Sequence, residues 1–283
     1  MAMPPTVRRR RLGIELRRLR EKTGLTAEAA AEATGMSQPK IARIENGRGA
    51  AKVDDVTKLL DLYGCTDPDV RTSLIEITKT GHTRGWWLSY RDAITPITND
   101  LIMLETEAAT FKTYENSFIP GLFQTAEYAR NIIEQLRVTQ VGTVEDLVQV
   151  RMARQSVLSR PNPLEVWAVI HEAALTAFAK EPEIMGPQLD RILSLGRLPN
   201  VNIQVMPVGA SAHPGMAGPF SVVGFPHRAD LDVVLVEGLL NSLWVEDPSD
   251  VELYRSKFTA ITAEAMSIPD SASFITAQRD KIR

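Results

Sequence analysis

The chain has 283 residues, 44% of them hydrophobic, a net charge of −3 and a single cysteine, Cys65. That length exceeds one small domain and suggests two. One cysteine excludes a disulfide or thiolate-metal scaffold within the chain and agrees with a reducing, cytoplasmic setting. No apolar run reaches the ~20 residues of a membrane span, and the charged N-terminus lacks the apolar core of a signal peptide.

Charge is unevenly spread. Residues 1–50 carry eleven Lys/Arg against five acids, a local +6 that leaves −9 for the rest. A basic head on an acidic body fits a nucleic-acid reader joined to a module that does not touch nucleic acid. Arg8 to Arg11 belong to that head; the alternative is a solvated, partly disordered arm, and an arm can still clamp phosphates.

In chain order, Leu12, Leu16 and Leu19 lie on one stripe of a first helix. Thr26 caps a second, over Ala27 to Thr34. Gly35 supplies a turn with positive φ. Ser37 caps a third helix, with Pro39 in its first turn, and Asn46-Gly47 ends it. Ile41 and Ile44 face inward, which turns Ser37, Gln38, Lys40 and Arg43 outward. These residue types read base edges and grip phosphates. Val53, Val56, Leu59 or Leu60, and Tyr63 predict a fourth helix, and Val70, Leu74 and Ile77 a fifth, opened by Asp67-Pro68. Thr80 to Gly85 has no apolar period and marks the domain boundary.

The segment Gly24 to Gly47 resembles the lambda-repressor-like, or xenobiotic-response-element (XRE) type, helix-turn-helix regulators. Leu25, Thr26, Glu28, Ala31, Gly35, Ser37, Gln38, Ile41, Arg43, Glu45 and Gly47 stand where that pattern wants those types. Ala27 replaces a frequent phosphate-contacting Gln, and Ala30 a larger aliphatic residue. The resemblance implies a five-helix DNA-binding domain over residues 1–80.

Residues 81–283 read as an α+β module, a helical subdomain with a small, mainly antiparallel sheet. Pro96 starts a long helix in which Ile97, Leu101, Leu104, Ala108 and Phe111 follow a heptad-like spacing. Thr125 caps the next helix, and Thr143 another, with Asp146 as its capping-box partner. Arg151, Arg154 and Arg160 are expected to form salt bridges within the acidic module. Strands are expected at Glu165 to His171, Val201 to Met206, Phe220 to Phe225, Leu231 to Val236 and Leu243 to Glu246. Helices from about Asp250 and Pro269 finish the chain.

GWWLSY at 85–90, IPGLFQTAEYAR at 119–130, RMARQSVLSRPNPLEVWAVIHEAAL at 151–175 and NVNIQVMPVGASAHPGMAGPFSV at 200–222 extend the resemblance. They are similar to the C-terminal domain of unknown function carried by antitoxin-like transcriptional regulators of high-GC Gram-positive bacteria. Such regulators are often encoded beside a small partner protein.

No constellation for catalysis stands out. His171-Glu172 begins a zinc-protease pattern, but Leu175 occupies the second histidine's place, and His82, His171, His213 and His227 lack ligand spacing. No metal and no cofactor is expected. Gly209 to Gly218 is glycine-rich without the Lys-Ser/Thr of a phosphate loop. It reads either as a plain connection between strands or as a lid over a pocket. Trp86, Trp87, Tyr90, Trp167, His171, His213 and Trp244 are candidates for a ligand pocket or a subunit interface, weighed against ordinary core aromatics.

These readings predict a cytoplasmic, non-enzymatic transcriptional regulator that binds double-stranded DNA as a homodimer on a palindromic operator. Gln38, Lys40 and Arg43 would read or grip, and Arg17, Thr26, Ser37, Asn46 and Arg48 would position the backbone. The second module would sense a small-molecule effector or an adjacently encoded protein. The alternative is an antitoxin-like protein that chiefly holds a small partner and autoregulates its operon.

Overall fold

The computed structural model describes residues 6–79, 86–90, 92–136, 141–177, 180–226, 231–238 and 242–282. They fall into two compact units, residues 1–88 with 226–231, and residues 89–225 with 232–283. The expected boundary at 80–85 lies outside the described residues.

The first unit is built from five helices, α1 (Val7–Lys22), α2 (Ala27–Thr34), α3 (Gln38–Glu45), α4 (Val53–Leu62) and α5 (Pro68–Lys79). Leu12, Leu16, Ala30, Ala31, Ile41, Ile44, Val56, Leu59, Leu60, Tyr63, Cys65 and Leu74 make one continuous core. Helix α1 crosses the end of α3 so closely that a Cβ on Gly13 would lie 2.4 Å from the Glu45 carbonyl oxygen. The crossing therefore demands glycine in mid-helix despite its cost in helix propensity.

The arginine cluster at the N-terminus is structured, not a disordered arm. Arg8 and Arg11 are buried in the first turns of α1. The Arg8 guanidinium donates to the carbonyls of Ile77 (2.7 Å) and Glu76 (2.9 Å). Helix ends leave such carbonyls unsatisfied, and a cation there complements the helix dipole.

The second unit holds a six-stranded sheet in the order β3-β2-β1-β4-β5-β6. The strands are β1 (Thr110–Glu115), β2 (Glu165–His171), β3 (Val201–Met206), β4 (Phe220–Gly224), β5 (Val233–Glu237) and β6 (Ser242–Val245). The β1–β2 and β2–β3 pairs are parallel, while β1–β4, β4–β5 and β5–β6 are antiparallel. The sheet is thus mixed, antiparallel in three pairings of five. Its helices are α6 (Pro96–Glu107), α7 (Ala126–Leu136), α8 (Val144–Arg154), α9 (Glu172–Thr176), α10 (Pro182–Leu195), α11 (Pro248–Glu264) and α12 (Ile268–Ile282).

The expected heptad seam is cut short. Helix α6 ends at Glu107, and Phe111 belongs to β1, the strand about which the sheet is arranged. Leu101, Leu104 and Ala108 are buried.

On one face, Val251, Phe258 and Ile261 of α11 pack against Tyr114, Val169, Phe220, Val222 and Val234. At the β3 edge, Val205 N–H bonds the Ser271 hydroxyl (2.9 Å) and its carbonyl accepts from Met266 N–H (2.9 Å). Those bonds occupy groups that an open edge would present to another chain.

Candidate nucleic-acid interface

The α2–turn–α3 segment is fixed by local chemistry. The Thr26 hydroxyl accepts from Ala29 N–H at 3.1 Å and caps α2. Gly35 closes α2 at φ 67°, and Gly47 follows α3 at the same φ. Both angles are natural for glycine and costly for other residues.

Ser37 takes the cap position of α3 but makes no side-chain cap bond. The reason is local. Pro39 has no N–H to offer, and Lys40 N–H already donates to the Ser37 carbonyl (2.9 Å). The exposed hydroxyl is therefore left for another partner, a difference from the cap expected of it.

Ile41 and Ile44 are 0% and 2% exposed, so the opposite face of α3 is turned outward. Gln38, Arg43, Asn46 and Arg48 are exposed. Gln38 and Arg48 side chains have no partner among the described residues. Arg43 Nε reaches only the Pro39 carbonyl, at 3.4 Å.

Two cations of the predicted set are engaged already. Arg17 pairs with Glu21 one turn on, at 2.9 Å on an exposed surface, and such pairs contribute little and exchange readily. Lys40 Nζ lies 2.7 Å from Asp55 Oδ1. Burial alone would raise the Asp55 carboxyl, but hydrogen bonds from Lys40 and the Lys52 backbone outweigh it and hold the carboxyl below its usual value. Lys40 can meet a base only by exchanging this partner, and Asp55 was not foreseen in that role.

What orients α3 was also missed. Arg20 of α1 forms a two-pronged ion pair with Glu45, Nε–Oε1 at 2.8 Å and Nη2–Oε2 at 2.9 Å. Its Nη1 donates to the Leu25 carbonyl ahead of α2, at 2.7 Å. The Glu45 hydrogen bond, opposed by desolvation, raises the guanidinium pKa. One nearly buried guanidinium thus ties α1 to both helices of the motif. The paired geometry suits arginine and not lysine.

The aromatic and histidine candidates include two local groups, Trp86, Trp87 and Tyr90 on one 3-10 turn (Trp86–Tyr90) and His171 with nearby His213. Trp86 and Trp87 meet edge to face, ring centroids 6.1 Å apart, within the first unit. Tyr90 belongs to the second unit, where its hydroxyl bonds Gln149 at 2.9 Å. Trp167 donates to Gln204 across β2–β3 at 2.8 Å. His171 caps α9 through Nδ1, which accepts from Ala173 N–H at 3.1 Å. Burial, and then nearby His213, lower its pKa. His213 meets Tyr114 edge to face at 5.9 Å. Trp244 sits on the edge strand β6, its indole N–H buried without a hydrogen bond among the described residues. His82 and His227 lie outside the described residues.

One group of charges in the second unit is held inside. Arg154 and Glu105 form a buried two-pronged pair at 2.7 and 2.9 Å. Arg151 donates to Gln124 at 2.8 Å. Desolvation, then the Arg154 charge, bring Arg151 down to about 10. Glu115, at the end of β1, is pushed up to about 8 by desolvation and by Glu237, against the opposing pull of Arg151. Of the three arginines expected to form salt bridges, Arg154 does so among the described residues, whereas Arg151 bonds the Gln124 amide and Arg160 donates to the carbonyls of Thr106 and Ala108. No group of three or more His, Cys, Asp or Glu among the described residues is placed to hold a metal ion, and none of their helices is long and apolar enough to cross a membrane.

Family models agree with this division. Residues 11–74 match a helix-turn-helix domain, which with the exposed face of α3 makes the first unit a DNA-binding head. Residues 98–277 match a domain of unknown function, DUF5753. No curated protein and no solved structure matches the chain.

Proposed function

The chain belongs to the DUF5753 family, and from that premise and its helix-turn-helix head we propose that it is a sequence-specific transcriptional regulator whose second unit senses a small molecule or a partner protein. The carrying observation is the face of α3: Ser37, Gln38, Arg43 and Asn46 stand exposed while Ile41 and Ile44 anchor the helix. Gln38 and Lys40 read bases near the start of α3, and Arg43 reads a base or holds phosphate. Thr26, Ser37, Arg17, Asn46 and Arg48 set the register on the backbone. Two subunits present paired α3 helices to half-sites about one DNA turn, ~34 Å, apart on a palindromic operator.

The reading makes the chain a cytoplasmic binding protein and not an enzyme; turnover of any substrate by the purified chain overturns that part. Sequencing the genomic fragments that the purified protein retains identifies the operator, which should contain an inverted repeat. Gel shifts on that duplex with Lys40→Ala and Arg43→Ala combined then test the assignment. Lost binding is expected, and unchanged binding refutes it.

A further inference from the structure

The second unit contains a recess that DNA reading does not use. It is an open recess of about 320 Å³ between α11, β5 and the connection from β3 to β4. Phe220 and Val236 line it from the sheet, Pro214 and Ala217 from the connection, and Tyr254 and Lys257 from α11. This is the glycine-rich stretch that reads in the sequence as either a plain connection or a lid.

The recess is firmly built. The Phe220 ring meets Tyr254 edge to face at 5.0 Å and Phe258 at 6.4 Å. The connection is pressed onto the sheet at Gly215, where a Cβ would lie 2.6 Å from the ring of Tyr114. Tyr114 is buried at the centre of the sheet, so it cannot retreat. Gly218 then turns the chain at φ 127°, a conformation that favours glycine.

The polar content is small and of one sign. Tyr254 and Lys257 lie three residues apart on α11 and so border the same side. Neither side chain has a hydrogen bond or ion pair among the described residues. Apolar walls with few polar groups, at the lower end of the roughly 300–1,000 Å³ range, are the usual make-up of a small-molecule site. A single cation over such walls selects charge as well as shape.

We infer that this recess binds a small organic monoanion with an apolar body, its carboxylate or sulfonate on Lys257 and Tyr254 and its hydrocarbon on Phe220 and Val236. The inference deepens the sensing half of the proposed function and rests on it only for purpose. Binding is read without DNA, so each can fail alone.

Two fluorescent probes share one aryl body: anilinonaphthalene sulfonate carries the anion, and phenylnaphthylamine lacks it. The full-length protein should bind one sulfonate probe per chain, and decanoate should displace it. Lys257→Glu should weaken the sulfonate about tenfold and leave the neutral probe within about twofold. Ala217→Trp, which fills the recess from an exposed position, should weaken both about tenfold. Lys257→Gln serves where the reversal fails to fold, as judged by circular dichroism. Equal affinity across all variants, or several probes per chain, overturns the site. So does native mass spectrometry showing that Ala217→Trp splits a dimer while probe binding is unchanged, because the occupant is then a second copy.

Discussion

The arginines around α3 and those of α8 are used in opposite ways. In the first unit, Arg20 and Arg8 are spent on positioning helices, while Arg43 and Arg48 are left at the surface around a rigid α3. In the second, Arg154 and Arg151 of α8 turn inward, against Glu105 and Gln124. The difference shows why net charge alone does not find an interface. A cation reads a polyanion only where it is solvent-facing and held on a fixed element. The arginines of α8 are held on a fixed element but fail the first condition, because they face inward.

Removing the inward pair should break this comparison most strongly. Arg154→Ala leaves the Glu105 carboxylate buried and unpaired, which costs about 3–5 kcal/mol. Urea unfolding followed by hydrogen exchange should show the loss in the second unit. A second, smaller effect should come from Gly13→Ala. A methyl group there collides with the backbone at the end of α3, and overpacking of this kind costs about 1–3 kcal/mol. Protection should fall in α1 and α3.

Glu115 sharpens the contrast through pH. Its folded pKa is raised from 4.5 to about 8. Between those values the folded state holds a proton that the unfolded chain has released, so stability is full below about pH 4.5 and is lost as pH rises through about 8. Thermal melts across that range should slope downward, and Glu115→Gln should flatten the slope. A parallel slope in the variant would show that another group titrates. The smallest effect on stability should come from Arg48→Ala at the outward surface, within about 0.5 kcal/mol. Its mark belongs instead in DNA binding: affinity should fall alike for all duplexes, and the salt slope should drop by about one.

The five helices of the first unit were legible because caps, apolar stripes and glycine stops all point the same way. Strands β2 and β3 were legible from alternation, and β4 to β6 were read as short apolar strands without it. Strand β1 was not, because the seam Ile97–Leu101–Leu104–Ala108 carries a helical rhythm on to Phe111. The signal that competed with it was the cluster Thr110, Phe111, Thr113 and Tyr114, β-branched and aromatic residues that suit a pleated surface. Parallel pairing was also hidden, since it depends on crossovers through α7 and α8 and on α10. At the interface, residue types on α3 could be read from spacing. The Lys40–Asp55 and Arg20–Glu45 pairs could not, because they join residues 15 and 25 apart through tertiary folding.

The most direct test of the account is fluorescence anisotropy of the full-length protein on its selected operator and on a scrambled duplex, wild type beside Gln38→Ala. A base-reading Gln38 predicts a loss of about 1–3 kcal/mol on the operator, with the scrambled duplex bound as before. Equal affinities of wild type and variant for the operator would contradict the claim that α3 reads the DNA.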